Sequence, residues 1–195
     1  IGDKEPKVED GKFLPFEVFG IKAMSIGFLV NEEQAVVWRG PMLTKGLDGL
    51  INKTVWGDLD YLIVDFPPGT GDVQISMSQK LKLDGSLIIT TPQLLSLKDV
   101  VRGINMFIKV NVPILGVVEN MSYLEELNEK KYIFGESKTK SLLLKENIKL
   151  IEELPFNLNV PKSCDEGKPY CFDYKDSYSL KFENICKSIT RKFQN

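Results

Sequence analysis

"LDYLIVDFPPGTGD", Leu59 to Asp72, decides the fold. It runs apolar over the length of a strand, meets an aspartate at position 65, and then turns on two prolines and two glycines. A short unbroken apolar run bounded by turn residues is the pattern of a strand covered on both faces, as in a parallel sheet. The same pattern recurs downstream in "SLIITTP" from Ser86 and "VPILGVVEN" from Val112, with a shorter version in "IKLIEELPF" from Ile148. Helical spacings separate these runs. Val73, Met77 and Leu81 recur every four residues. "SLKD" at Ser96 to Asp99 has the form of a capping box ahead of a stripe of Leu97, Val100, Val101, Ile104 and Ile108. A third helix is expected near Lys138 to Glu146, and a last amphipathic one carries Phe182, Ile185, Cys186, Ile189 and Phe193, with Cys186 as a packed thiol. Apolar strands alternating with helices predict an α/β fold with a doubly wound, mostly parallel sheet, in one domain over residues 1–195.

Upstream of the opening stretch, a polar lead-in over residues 1–12 gives way to short strands around "FLPFEV" and "IKAMSI". Pro41 suits the first turn of a helix reaching about Asn52, along Leu43, Leu47, Leu50 and Ile51. Two polar stretches, "YLEELNEKKY" and the segment from Asn159 to Ser177, read as connections.

A chain of 195 residues, 43% hydrophobic, can bury one sizeable core. With 25 basic against 27 acidic residues it has no electrostatic footprint for nucleic acid or an anionic membrane, so neither is an expected partner. The longest apolar runs fall far short of the ~20 residues that span a bilayer. Cys164, Cys171 and Cys186 are odd in number and lack CxxC spacing, which gives neither a disulfide framework nor a zinc site. A soluble protein of the reducing cytoplasm is expected. The chain opens "IGDKEP" without a methionine, as a processed or truncated polypeptide would.

Ligands of an open parallel sheet bind beyond the carboxyl ends of its strands. Asp65 has the placement of a Walker B aspartate, which holds Mg²⁺ in P-loop NTPases, usually through a water. Pro67, Pro68, Gly69, Thr70 and Gly71 form a stiff turn whose glycines let backbone N–H groups approach a γ-phosphate; an ordinary β-to-α turn has the same composition. Asn120 ends a strand with a donor and an acceptor, which suits either the edge of adenine or its own backbone. Pro155 and Phe156 in "LPFN" lie against a base or simply end a strand, and "TTPQ" at Thr90 to Gln93 is a polar strand end or a turn into the next helix. The complementary phosphate loop, GxxxxGK followed by Ser or Thr, is missing. Its nearest imitation, "GLDGLINKT", has Asn52 and Leu47 where glycines are required and reads as a helix end.

Taken in order and spacing, "MSIGFLV", "AVVWRGPM", "WGDLDYLIVDFPPGTGD", "TTPQLLSLKDV", "PILGVVENMSY" and "YIFG" resemble the Mrp-type ATPases, relatives of MinD and nitrogenase iron protein that carry iron–sulfur clusters. The resemblance implies a SIMIBI-class P-loop fold, ATP and Mg²⁺ as ligands, a homodimer, and iron–sulfur apoproteins as recipients. It assigns Asp65 to magnesium and catalysis, Pro67 to Gly71 to the γ-phosphate switch, and Asn120, Pro155 and Phe156 to the base; "RGP" from Arg39 matches a family signature without a definite role. It also implies a Walker A strand, loop and helix upstream of Ile1. Without that central strand, "YLIVD" is expected to present an unpaired edge, giving association, swapping or a distorted sheet, and ATP hydrolysis is expected of the full-length protein rather than of these residues alone. Relatives place a CxxC pair shortly after "ENMS", where two subunits share a cluster; here the stretch reads "ENMSYLEELNEKKYIFG", and cluster ligands are not found. A cluster-free ATP-dependent adaptor and a MinD- or ParA-like positioning ATPase are the alternatives.

Overall fold

The computed structural model describes residues 5–29, 40–127 and 129–194, and the chain divides into two compact units, Ile1–Leu81 and Lys82–Asn195. Arg39 lies outside the described residues.

The first unit opens with two antiparallel hairpins, β1 (Val8–Glu9) with β2 (Lys12–Phe13) and β3 (Phe16–Val18) with β4 (Ile21–Ala23). The lead-in read as loose is therefore partly paired. A short 3₁₀ turn at Ile26–Phe28 is capped by Ser25, and the helices α1 (Gly40–Asn52) and α2 (Asp72–Leu81) follow. Leu50 of α1 and Met77 of α2 are buried, and the two helices pack together in this unit. Phe13 and Thr54 form a parallel bridge that ties the end of α1 to β2. The Thr54 hydroxyl donates to Leu50 O and Lys53 N–H to Gly49 O, so "GLDGLINKT" is a helix terminus, as its missing glycines indicate.

One expectation fails here. Residues 61–65 enter no ladder among the described residues, and Ile63 is 91% exposed, so the opening stretch is not a covered strand. A strand exists only through hydrogen bonds to a neighbour, and an apolar run without one leaves its side chains in water.

The second unit holds the parallel sheet, β5 (Ser86–Thr90), β6 (Ile114–Glu119) and β9 (Leu150–Glu153), in the order β5-β6-β9. Alternation along β6 sorts its side chains between two layers. Val117 meets Ile88, Val100, Ile104 and Leu143, on the side of α3 (Leu94–Lys109) and α4 (Thr139–Lys145). Val118 meets Leu154, Tyr170, Tyr178 and Ile185, on the side of α5 (Asn159–Asp165), α6 (Tyr170–Asp173) and α7 (Ser177–Thr190). Helices on both faces make the sheet doubly wound. Between β6 and α4 the chain forms a hairpin of β7 (Leu124–Glu126) and β8 (Glu129–Lys131), where a polar connection is expected, and α5 and α6 likewise occupy the second polar stretch.

Three local readings are corrected. Helix α3 starts at Leu94, ahead of the supposed capping box: Gln93 is its N-cap, and Ser96 Oγ lies 2.7 Å from Thr91 Oγ1 instead of capping. Ile108 points to solvent while Met106 is buried. In α7 the buried row runs through Tyr178 and Ile185, which rotates Cys186 out to solvent.

Candidate functional site

In the first unit, residues 53–71 carry the chain from α1 to α2 and end in the Pro67–Gly71 turn. Asp65 is exposed and makes no hydrogen bond among the described residues. Gly69 sits at φ +105°, a conformation that side-chain-bearing residues rarely adopt, so the turn requires glycine there. The turn is held by a residue the sequence reading passed over. Gln74 Nε2 donates to Pro67 O at 3.1 Å and to Pro68 O at 2.7 Å, and its Oε1 accepts from Gly71 N–H at 3.0 Å. A signal existed: a glutamine in the same helical row as Met77 and Ser78 has to be buried with them.

In the second unit the carboxyl ends of β6 and β9 run on together. Leu154 N–H donates to Glu119 O at 2.8 Å, Ser122 N–H to Leu154 O at 2.9 Å, and Phe156 N–H to Tyr123 O at 2.7 Å. Asn120 N–H donates to Thr90 O at 2.7 Å, which fixes it against the end of β5. Asn120, Pro155 and Phe156 are thereby brought to one end of the sheet, each half-buried. Asn120 Oδ1 accepts from Met121 N–H at 2.9 Å, where φ is +53°, so half of its amide serves its own backbone and Nδ2 keeps its donors. Beside it Glu119 is fully buried; its Oε2 accepts from the Ser137 and Thr139 hydroxyls, and its Oε1 has no partner among the described residues. This carboxylate ties the start of α4 to the end of β6, beyond the hairpin. Asp65 and the Pro67–Gly71 turn belong to the first unit, and Asn120, Pro155 and Phe156 to the second.

The hairpin after "ENMS" carries Glu125, Glu126, Glu129, Lys130 and Lys131. Cys164 and Cys186 are exposed, Cys171 is half-buried and packs against the Tyr170–Tyr178 cluster, and all three are free thiols. Among the described residues no three His, Cys, Asp or Glu side chains gather as a metal-ligand set, and no helix is long and apolar enough to cross a membrane.

The ParA-type family described as the NUBPL iron-transfer P-loop NTPases has a model that matches residues 1–191. The chain belongs to that family. Among its relatives, an iron–sulfur cluster transfer protein NUBPL from Dictyostelium discoideum is 44% identical over 95% of the chain, which spans 58% of that relative's length. A protein from Arabidopsis thaliana named as a mitochondrial iron–sulfur protein required for NADH dehydrogenase is 48% identical over 97% of the chain and 62% of its own length. An iron–sulfur cluster carrier protein from Haemophilus influenzae is 42% identical over 86% of the chain and 46% of its own length. The chain thus spans less than two thirds of each. Among solved structures, a nucleotide-binding protein from Archaeoglobus fulgidus, in complex with ADP and with cobalt found, is similar with a TM-score of 0.69 at 35% identity, covering 84% of the chain and 65% of that structure. The P-loop NTPase fold read from the sequence is the fold of this family, and the doubly wound sheet of the second unit is its visible part.

Proposed function

We propose that the full-length protein is an ATP-binding and ATP-hydrolysing carrier that delivers iron–sulfur clusters to recipient apoproteins and works as a homodimer. The observation that carries this reading is the Pro67–Gly71 turn, with its obligatory glycine at position 69 and a free carboxylate at Asp65 just before it, in a chain of an iron-transfer P-loop family. An exposed oxygen ligand without a competing partner fits a hard cation such as Mg²⁺. When bound, that ion would neutralise charge developing on the phosphates. Asp65 would hold it, Gly69 and Thr70 would offer backbone N–H groups to a γ-phosphate, and Asn120 Nδ2 would donate to a ring nitrogen of adenine with Pro155 and Phe156 packed on the base.

A second reading, a cluster-free ATP-dependent adaptor, is favoured by one observation: the hairpin after "ENMS" presents carboxylates and ammonium groups and no thiol. Anaerobic reconstitution of the full-length protein, with iron and sulfide analysis and transfer to an apoprotein with and without MgATP, decides between them. The carrier reading expects bound cluster and nucleotide-dependent transfer; Cys164→Ser and Cys171→Ser are expected to leave both intact. A protein that hydrolyses ATP yet takes up no iron would leave the adaptor. For the compartment, unpaired cysteines suit the cytoplasm, and the mitochondrial name of one relative makes the mitochondrion the alternative; imaging of the tagged full-length protein separates the two.

A further inference from the structure

Gln74 is a primary amide on the buried row of α2, only 6% exposed, beside Met77 and Ser78. A buried amide is costly unless its donors and acceptor are satisfied. Here every partner lies in one place, the turn that precedes its own helix. Both donors on Nε2 go to consecutive carbonyls, Pro67 O and Pro68 O, and Oε1 takes Gly71 N–H. Prolines have no N–H, so their carbonyls are the only backbone polar groups by which they can be held. Only a side chain with two donors and an acceptor at this reach does so. A carboxylate at the same place would face two carbonyl oxygens, and a thioether would leave all three groups unpaired. The Ser78 hydroxyl, donating to Gln74 O at 2.8 Å, anchors the helical turn from which the amide projects. Gly69 and Thr70, the two residues between the clamped positions, make no hydrogen bond through their N–H groups among the described residues.

We propose that Gln74 is a positioning residue of the γ-phosphate switch: its amide holds the Pro67–Gly71 turn in the shape that leaves the Gly69 and Thr70 N–H groups available to nucleotide. This inference rests on the reading of that turn as a switch. A donor array that is already set costs no reorganisation when charge develops on the phosphate, so its loss affects turnover and the preference for triphosphate, and spares the contacts ATP shares with ADP.

The test uses the full-length protein and two substitutions of nearly unchanged volume, Gln74→Glu and Gln74→Met. Calorimetry with MgADP and with a non-hydrolysable MgATP analogue gives the triphosphate preference, and phosphate release gives kcat and KM across pH. Affinity for MgADP is expected to stay within about twofold, while triphosphate preference and kcat fall about tenfold, with KM changing less. Lowering the pH is expected to restore part of the Glu variant's activity relative to wild type, because a protonated carboxyl regains one donor for a proline carbonyl; the Met variant has no such recovery. If wild type turns over, Asp65→Ala lowers that turnover about a hundredfold, and both Gln74 variants merely melt at lower temperature with triphosphate preference intact, the positioning role is wrong and the switch reading stands. If wild type neither distinguishes the two nucleotides nor depends on Asp65, the switch reading falls and Gln74 falls with it.

Discussion

Gly69 at φ +105° shows how much a single position can decide. A Cβ built there would meet Gln74 Nε2 at 3.5 Å, an ordinary contact, so space does not exclude alanine and backbone conformation does. Gly69→Ala is expected to cost about 1 kcal/mol or more of stability, or to shift the turn away from its clamp. Denaturant unfolding reads the first outcome and protease sensitivity at the turn the second; a variant unchanged in both would show that the turn has no fixed shape. The Pro67–Gly71 turn was legible in the sequence because proline and glycine have few conformational uses. Gln74 was legible only through its place in the row of Met77, because a glutamine on a helix is otherwise read as solvated. Cys186 was misplaced for a related reason: in a helix whose apolar residues are loosely spaced, a rotation of one position exchanges a core thiol for an exposed one.

Elements were legible where their side chains are mostly buried. β5 and β6 read directly as apolar runs, whereas β7 and β8, with "LEE" facing "EKK", carry no apolar signature and are held by their pairing. The junction of α7 with β9 is a further case that spacing could not reveal. Lys181 Nζ lies 2.9 Å from Glu152 Oε1, with side chains only 24% and 16% exposed, across 29 residues of sequence. Burial pushes the Glu152 carboxyl up, but the Lys181 hydrogen bond, with those from Glu153 N–H and Asn184, outweighs it and holds the group below its ordinary value of 4.5. A carboxyl depressed in the folded state contributes stability that is fully present above its unfolded value and is lost as pH falls through the folded one. Stability is therefore expected to decline below about pH 4.5 partly through this pair. Lys181→Met is expected to cost about 1–3 kcal/mol near neutral pH and to flatten that acid limb. Urea unfolding across pH checks it; an unchanged acid slope in the variant would remove Glu152 from the account.

At the scale of the whole chain, the relevant fact is a pattern absent from these 195 residues: GxxxxGK followed by Ser or Thr. Its nearest imitation is the end of α1, where Lys53 and Thr54 are engaged with Gly49 and Leu50 of their own helix. Phosphoryl transfer in P-loop enzymes depends on positioning and charge stabilisation by that loop, its lysine and Mg²⁺. Asp65 and the Pro67–Gly71 turn can respond to a γ-phosphate only when other groups hold it. The 195-residue chain by itself is therefore expected to bind MgATP weakly, if at all, and to release no phosphate above background. Joining it to a segment bearing the missing loop is expected to restore both, and Asp65→Ala in the joined protein to lower Mg²⁺-dependent turnover by about a hundredfold, the scale of losing one preorganised charge contact. Calorimetric titration with MgATP and a phosphate-release assay on the two proteins supply the measurement. Tight binding or turnover by the short chain, indifferent to Asp65→Ala, would place the nucleotide chemistry on residues other than these.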